Sequence, residues 1–119
     1  MAGAVKNFES PDETREFPNG RGAIVRLATG SAAEAWMQPG WKWSESLKSI
    51  AGTESCQMHH VGYCLGGALH VVQDDGTELD IGPGSVYEIE PGHDAWVVGD
   101  DVFNGLEFQS KTAQEYGKS

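Results

Sequence analysis

The sequence predicts an all-β domain, an antiparallel barrel or sandwich, with at most one or two short helical turns. Short apolar runs alternate with turn residues along the 119-residue chain, which contains 16 glycines and five prolines. Between Cys56 and Trp96 these runs follow one another at near-regular spacing, and Gly, Pro or Asp separates them. Short strands with regular turn signals are typical of antiparallel all-β folds.

The first part of the chain is predicted to hold a polar arm and three strands. Residues 1–13 are polar and are expected to wrap the surface or to stay mobile. Residues 14–17 are predicted to form an edge strand, and residues 22–27 form the next strand. Residues 31–37 are ambiguous, because their alanines favour a helix by propensity and their first residue, a serine, is a good helix cap.

Beyond this point the turn residues mark out the remaining elements. One helical turn is predicted within residues 44–50. Strands at 61–65 and 68–72 flank Gly66-Gly67, which supplies the positive φ angles of a two-residue hairpin. Further strands are predicted at residues 77–81, 85–89, 94–98 and 102–108. A polar tail, residues 109–119, includes a helical turn at 113–116.

The charge and hydropathy of the chain exclude several classes of partner. The formal net charge is −10 at pH 7, with eight Lys and Arg against 18 Asp and Glu. Because eight scattered basic residues form no basic patch, neither nucleic acid nor an anionic membrane is expected as a partner. No apolar run approaches a membrane span, and the first residues lack the apolar region of a signal peptide. We therefore expect a cytoplasmic protein.

The two cysteines are predicted to be free thiols. Cys56 and Cys64 lie on one extended segment, where the rise of a strand separates them by about 26 Å. A disulfide requires Cα atoms within about 7 Å of each other. Free thiols suit a reducing compartment.

The spacing of glycine and histidine in the central block resembles the motifs of the cupin family. The first cupin motif ends in Glu, six residues and Gly; here six residues separate His60 from Gly67. The second motif begins with Gly, five residues, Pro-x-Gly, which Gly84 and Gly92 match with the proline shifted by one position. His60 thus occupies the position of the family's Glu ligand, and Ala95 occupies that of its second-motif His.

The beginning of the first motif is altered. Pro39-Gly40 resembles its start, but Ser46-Leu47-Lys48 stand where the family has His-x-His. Eleven residues separate Lys48 from His60, which is more than the motif allows, so a surface insertion is expected around residues 48–53. None of the four usual metal-ligand positions keeps its usual residue.

The resemblance implies a single cupin domain over residues 1–119, with a jelly-roll β-barrel at roughly 20–108. In that frame residues 31–37 form a strand, which is the alternative that we adopt. The resemblance also implies a homodimer and a small organic molecule bound inside the barrel.

Alternation of side chains along the strands predicts a site in the barrel interior. Cys56, Met58 and His60 share one face, which the resemblance places inside, and His93 also points inward. Two imidazoles with a thiol nearby suit one divalent transition metal (Zn, Fe, Mn, Ni or Cu), held by His60, His93 and Cys56. In the alternative, a metal-free site, His60 and His93 act as acid and base.

Two tryptophans are the candidate ligand-binding residues. At strand spacing Trp41 and Trp43 face the same way. They either close one end of the barrel as core residues or form, with Met58 and Tyr63, the wall of a ligand cavity.

Other polar residues are predicted to lie outside the barrel. His59 alternates with His60 and is expected at the surface or in a dimer interface, and His70 is also expected to point outward. Glu88 and Glu90 share a face.

Two functions follow from this interpretation. The first is a small-molecule enzyme of the isomerase, cyclase, lyase or oxygenase class, with His60 and His93 as catalytic residues. The second is a non-enzymatic module that senses or sequesters a small organic ligand. The fold alone does not choose between them.

Overall fold

The chain folds into two antiparallel β-sheets that share one apolar core. The computed structural model describes residues 3–110. The strands are β1 (Glu13–Phe17), β2 (Gly20–Arg26), β3 (Gly30–Met37), β4 (His60–Gly66), β5 (Leu69–Gln73), β6 (Glu78–Ile81), β7 (Val86–Ile89), β8 (His93–Val97) and β9 (Phe103–Ser110). Two short helices, α1 (Trp43–Ser46) and α2 (Lys48–Ala51), lie between β3 and β4.

One sheet has six strands in the order β1-β2-β3-β9-β4-β7, and the other has three in the order β6-β5-β8. Every strand pair is antiparallel. The predicted all-β class is therefore confirmed, as are the short helical turns.

The ambiguous segment at residues 31–37 is a strand, as predicted. It lies in β3, which pairs with β2 on one side and with β9 on the other along its whole length. The hydrogen bonds to these two neighbouring strands outweigh the weak helix preference of its alanines.

The hairpin predicted at Gly66-Gly67 is wrong. β4 pairs with β7 and β9, whereas β5 pairs with β6 and β8, so the two glycines connect different sheets. Gly67 has φ of 77°, and a Cβ atom there would lie 2.3 Å from the carbonyl oxygen of Val102. This close backbone approach requires a glycine. Its positive φ is compatible with a crossing between sheets as well as with a hairpin, so it did not identify the type of connection.

The surface insertion expected around residues 48–53 contains α2, and α1 directly precedes it. The Ser46 hydroxyl donates a hydrogen bond to the Pro18 carbonyl, and the Ser44 amide donates one to the Asp94 carboxylate. These contacts hold the helices against the strands. Within the described residues no helix is long and apolar enough to cross a membrane.

The core occupies the space between the sheets, with Phe103, Val71 and Cys64 fully buried. The inward orientation predicted for His93 is confirmed, because His93, Ala95 and Val97 alternate as buried residues along β8. The polar tail from residue 111 and its predicted helical turn lie outside the described residues.

Candidate metal site

His60 and His93 meet between the two sheets. His60 begins β4 in the six-stranded sheet, and His93 begins β8 in the three-stranded sheet. Their ring centroids are 5.1 Å apart, with the ring planes at 69°. Cys56 joins them because its backbone pairs with that of His93, through hydrogen bonds of 2.7 and 3.2 Å.

The three side chains present their donor atoms to one point. The Sγ atom of Cys56 lies 3.7 Å from Nε2 of His60, and one ligand atom from each of Cys56, His60 and His93 lies within 4.8 Å of the others. The sequence prediction brought together these same three residues. The structure thus places all of the predicted ligands side by side.

Both imidazoles are oriented through Nδ1, which leaves Nε2 available. Nδ1–H of His93 donates to the carbonyl oxygen of Glu90 at 2.8 Å. Nδ1 of His60 lies 2.5 Å from Oε1 of Glu107. Metal-binding histidines are usually held in this way, with an oxygen on the nitrogen remote from the metal.

The spacing of the donors fits a tetrahedral metal ion. Zinc lies about 2.3 Å from a thiolate sulfur and about 2.0 Å from an imidazole nitrogen, which at a tetrahedral angle separates the two donors by about 3.5 Å. The observed separation of Sγ and Nε2 is 3.7 Å. A thiolate and two imidazoles favour a borderline or soft ion and leave a fourth position open.

Glu107 is a site residue that the sequence reasoning missed. It lies on β9 opposite Gly62 of β4, and its second oxygen, Oε2, accepts a hydrogen bond from the Tyr87 hydroxyl at 3.1 Å. Its neighbours Leu106 and Phe108 are apolar, and apolar residues usually mark the buried face of a strand, so the sequence pattern gives no sign that Glu107 points inward. In the structure Phe108 is exposed instead, and only the pairing of β9 with β4 reveals the inward position of Glu107.

Glu107 and the two histidines change the ionisation of the site. Burial opposes a charge on His60, but the carboxylate of Glu107 and the contact with Cys56 together raise the pKa of His60 to about 10. Burial likewise raises the pKa of Cys56, but hydrogen bonds to His60 and His93 outweigh it and lower that pKa to about 6. Cys56 is therefore a thiolate at neutral pH, the form that binds metals.

The carboxylate of Glu107 stays ionised in this environment. Burial raises its pKa, but the charge and hydrogen bond of His60 have the larger combined effect, and the net shift is downward. The hydroxyl of Tyr87 has a raised pKa, first because of burial and then because of the adjacent Glu107. Tyr87 therefore serves as a neutral hydrogen-bond donor.

Two of the predicted ligand-binding residues lie outside the barrel interior. Met58 is 52% exposed, because residues 57–59 are not strand and the alternation extended back from β4 does not apply to them. Tyr63 is 37% exposed and alternates with the buried Gly62 and Cys64. The prediction that these two side chains line an interior cavity is corrected accordingly.

The tryptophans occupy the core, as their packing alternative predicted. Trp41 and Trp43 are both buried within the apolar cluster. The Trp41 carbonyl accepts a hydrogen bond from the amide of Val97, which lies four residues and about 13 Å along β8 from His93. Trp41 therefore packs at the end of β8 remote from the site.

Two open surface cavities lie away from the histidines. One, of about 340 Å³, is bounded by residues of α1 and α2 and the loop that follows. The other, of about 240 Å³, lies beside Trp96 and Lys42. Neither is lined by Cys56, His60 or His93.

The other two histidines bond to exposed carboxylates, in agreement with their predicted outward positions. Nε2 of His59 lies 2.9 Å from Glu88. The two ring nitrogens of His70 contact Asp80 and Glu78 separately, at 2.7 and 2.8 Å.

Comparisons with known proteins reveal a likeness of fold. No protein-family model matches the sequence, and no curated protein matches it. An RmlC-like cupin from Shewanella frigidimarina superposes with a TM-score of 0.64 at 15% identity, over 97% of this chain and 96% of that one. The polyketide cyclase RemF from Streptomyces resistomycificus superposes with a TM-score of 0.61 at 17% identity, over 93% and 80%.

A larger enzyme contains a similar domain. A variant of the oxalate decarboxylase from Bacillus subtilis superposes with a TM-score of 0.62 at 16% identity. The match covers 91% of this chain but only 30% of the decarboxylase. At such identities the likeness concerns the fold alone.

Proposed function

The chain has the cupin fold, and on that premise we propose that it is a metal-dependent enzyme acting on a small organic molecule. The observation that carries the proposal is the convergence of Cys56, His60 and His93 between the sheets. Both imidazoles are already oriented by an oxygen on Nδ1, so the site is preorganised for a metal on the other side of each ring.

Each residue has a distinct part in this proposal. Cys56, His60 and His93 hold the ion, which when bound supplies a Lewis acid that polarises a substrate oxygen. Glu107 fixes the ring of His60, and Tyr87 restrains Glu107 from the other oxygen. Removal of either outer residue is therefore expected to loosen the geometry without removing a ligand.

The substrate approaches where the site reaches the surface. The side chains of His60 and Glu107 are 20% and 21% exposed, and the neighbouring Met58 is more open still. The core between the sheets is occupied by large side chains such as Trp43 and Phe103. A small molecule at the rim of the barrel fits this arrangement better than one deep within it, which revises the substrate position expected from sequence.

The nature of the similar folds supports a small-molecule substrate. One of them is a polyketide cyclase and another an oxalate decarboxylase. Cyclisation, isomerisation, decarboxylation and oxygenation all involve a substrate oxygen or an adjacent carbon that a metal can activate. We therefore propose that the enzyme catalyses one of these four types of reaction, which substrate screening would identify.

Metal analysis of purified protein tests the proposal. We expect the wild type to hold one more zinc, iron, copper, nickel or manganese ion per chain than Cys56→Ala, His60→Ala and His93→Ala. The matched control is His70→Ala, because His70 also bonds to carboxylates but is not one of the three residues of the site. Metal that is equally retained in all four variants would contradict the assignment.

A second candidate is metal-free proton transfer by His60. The ring of His60 contacts Cys56 through Nε2 and Glu107 through Nδ1, so the three side chains form one hydrogen-bonded series. Positioned groups of this kind serve as general acids and bases. Turnover of a substrate by protein that contains no metal, abolished in His60→Ala, would favour this candidate over the first.

The non-enzymatic alternative is a module that binds its ligand unchanged. It shares the rim of the barrel with the enzyme proposal and differs in the fate of the ligand. Recovery of an unaltered ligand after long incubation with metal-loaded protein would support the binding module.

We also propose a homodimer formed through the outer face of the larger sheet. Val86, Tyr63 and Leu106 lie side by side across β7, β4 and β9, and Val86 is exposed on an edge strand. An apolar face next to a free strand edge favours association with a second copy. Sedimentation of wild type and Val86→Glu would distinguish a dimer that the charge disrupts from a monomer.

A reducing compartment, the cytoplasm, is part of the same proposal. Cys56 and Cys64 are both free and buried. Unpaired thiols of this kind persist where the environment keeps them reduced.

A further inference from the structure

A second group of ligand-type side chains lies on the outer surface of the β4–β7 pair. His59 immediately precedes β4, Glu88 lies in β7, and Glu90 immediately follows β7. Nε2 of His59 is 2.9 Å from a carboxylate oxygen of Glu88 and 4.0 Å from one of Glu90. One ligand atom from each residue lies within 4.8 Å of the others.

We propose that His59, Glu88 and Glu90 form a second divalent-cation site, with harder donors than the inner site. One imidazole nitrogen and two carboxylates suit manganese and similar ions, whereas the thiolate of the inner site favours softer ones. The two carboxylates carry the charge that balances a divalent ion. The outer site shares no ligand with the inner one.

The strand pairing brings the three ligands together. His60 lies opposite Ile89, so Glu88, which precedes Ile89, projects from the opposite surface of the β4–β7 pair. The contacts of His59 with Glu88 and Glu90 place the other two side chains beside it. This arrangement places the outer ligands next to the inner ones in sequence but on the other side of the sheet.

The backbone on each side of the group is held by a glutamine. The side-chain amide of Gln109 donates to the carbonyl oxygen of His59 at 2.9 Å. The amide of Gln73 donates to the Glu90 carbonyl and accepts from the Glu90 amide, both at 3.1 Å. The ligands therefore start from fixed positions, which reduces the ordering that binding requires.

A cation relieves a repulsion that an ion pair leaves in place. Glu88 alone is sufficient to pair with His59, yet Glu90 brings a second negative charge to the same nitrogen. Like charges in one site oppose each other, and a divalent ion between them converts that repulsion into attraction. The carboxylates are 61% and 69% exposed, which leaves room for water to complete the coordination.

The outer site is also linked to the inner one by Glu90. Its carbonyl oxygen accepts the hydrogen bond that orients His93. An ion held by the Glu90 carboxylate therefore restrains the residue that positions an inner ligand.

Titration with Mn²⁺ tests the proposal in protein whose inner site has been disabled. In the Cys56→Ala/His93→Ala background, loss of the free-ion paramagnetic resonance signal counts the ions bound. We expect one Mn²⁺ per chain, and none after the further changes Glu88→Gln and Glu90→Gln. Since two of the three inner ligands are absent from this background, the result does not depend on the function proposed above.

Glu78 and Asp80 supply the matched control. These two carboxylates also bond to a histidine, His70, but they contact different nitrogens of its ring and so cannot bind one ion together with it. Glu78→Gln/Asp80→Asn removes the same charge and should leave Mn²⁺ binding intact. Circular dichroism confirms that each variant is folded.

The outcomes separate a built site from general attraction to an acidic protein. Loss of the ion in the Glu88/Glu90 variant alone supports the proposal. Equal weakening in both double variants overturns it, because charge by itself then explains the binding. Absence of bound Mn²⁺ in the starting background also overturns it and leaves His59 as the partner of Glu88 only.

Discussion

Replacement of Glu107 by Gln tests the electrostatics of the inner site most directly. The change preserves the size of the side chain but removes the charge that lies 2.5 Å from Nδ1 of His60. In metal-free wild type the pKa of His60 is raised from 6.5 to about 10, and Glu107 is the largest contributor to the increase. We expect the pKa of His60 in Glu107→Gln to fall by about two pH units, because the contact with Cys56 remains.

The magnitude follows from the linkage between ionisation and folding. Each pH unit of pKa change corresponds to about 1.4 kcal/mol, so the whole shift of His60 sets an upper bound of about 5 kcal/mol. Since Cys56 supplies part of that shift, we expect Glu107→Gln to lower the free energy of unfolding by about 3 kcal/mol, in the range for breaking a buried ion pair.

The sign of each pKa shift defines the pH window. A raised pKa of His60 contributes stability that is complete below pH 6.5 and disappears as the pH rises through about 10. A lowered pKa of Glu107 contributes stability above its ordinary value of 4.5, which is lost as the pH falls. The difference between wild type and variant should therefore be largest between about pH 4.5 and 6.5.

Two measurements on metal-free protein examine this reasoning. Nuclear magnetic resonance titration of the His60 ring gives its pKa, and urea unfolding at pH 5.5 and pH 10 gives the stability difference. Glu88→Gln is the control, because it removes a carboxylate from His59 and should leave His60 unchanged. An ordinary pKa for His60 in wild type, or an equal stability difference at both pH values, would refute the argument.

Three further predictions concern the thiol, the metal and the sheet crossing. In metal-free protein the ultraviolet absorbance of the Cys56 thiolate should appear with a midpoint near pH 6 and be absent in Cys56→Ala, whereas Cys64, whose burial raises its pKa, should titrate above pH 9. Zinc binding at pH 7.5 should release close to one proton, from His60, as measured with a pH indicator; release of two would show that the thiol is protonated. Gly67→Ala should lower the free energy of unfolding by about 3 kcal/mol, because the new Cβ meets backbone atoms. Gly52 has a similar φ but open space around it, so Gly52→Ala should lower the free energy of unfolding by about 1 kcal/mol. Equal effects of the two variants in thermal unfolding would count against the close approach at Gly67.

The features of the fold that could be predicted are those that depend on residues close together in the sequence. Gly, Pro and Asp mark turns because of their own backbone preferences, and alternation marks strands because side chains point to opposite sides. These local signals predicted the strands and the inward position of His93. They failed at Gly66-Gly67, since a positive φ does not specify which strands become partners.

The site illustrates the same limit. Alternation brought His60 and Cys56 to one face, but it placed Met58 there too, because the sequence did not reveal that β4 begins only at His60. The inward orientation of Glu107 could not be predicted, because its apolar neighbours lie on the exposed face of the larger sheet.

The all-β class, most of the turns and the free cysteines were predictable from the sequence, which also suggested the candidate metal ligands. Those properties follow from residue chemistry and from contacts between near neighbours in the chain. The arrangement of the strands in three dimensions was needed to show that β4 and β5 belong to different sheets, that Glu107 contacts His60, and that His59 meets Glu88 and Glu90. Each of these depends on the register between strands distant in sequence, which is fixed when the two sheets bury their shared core.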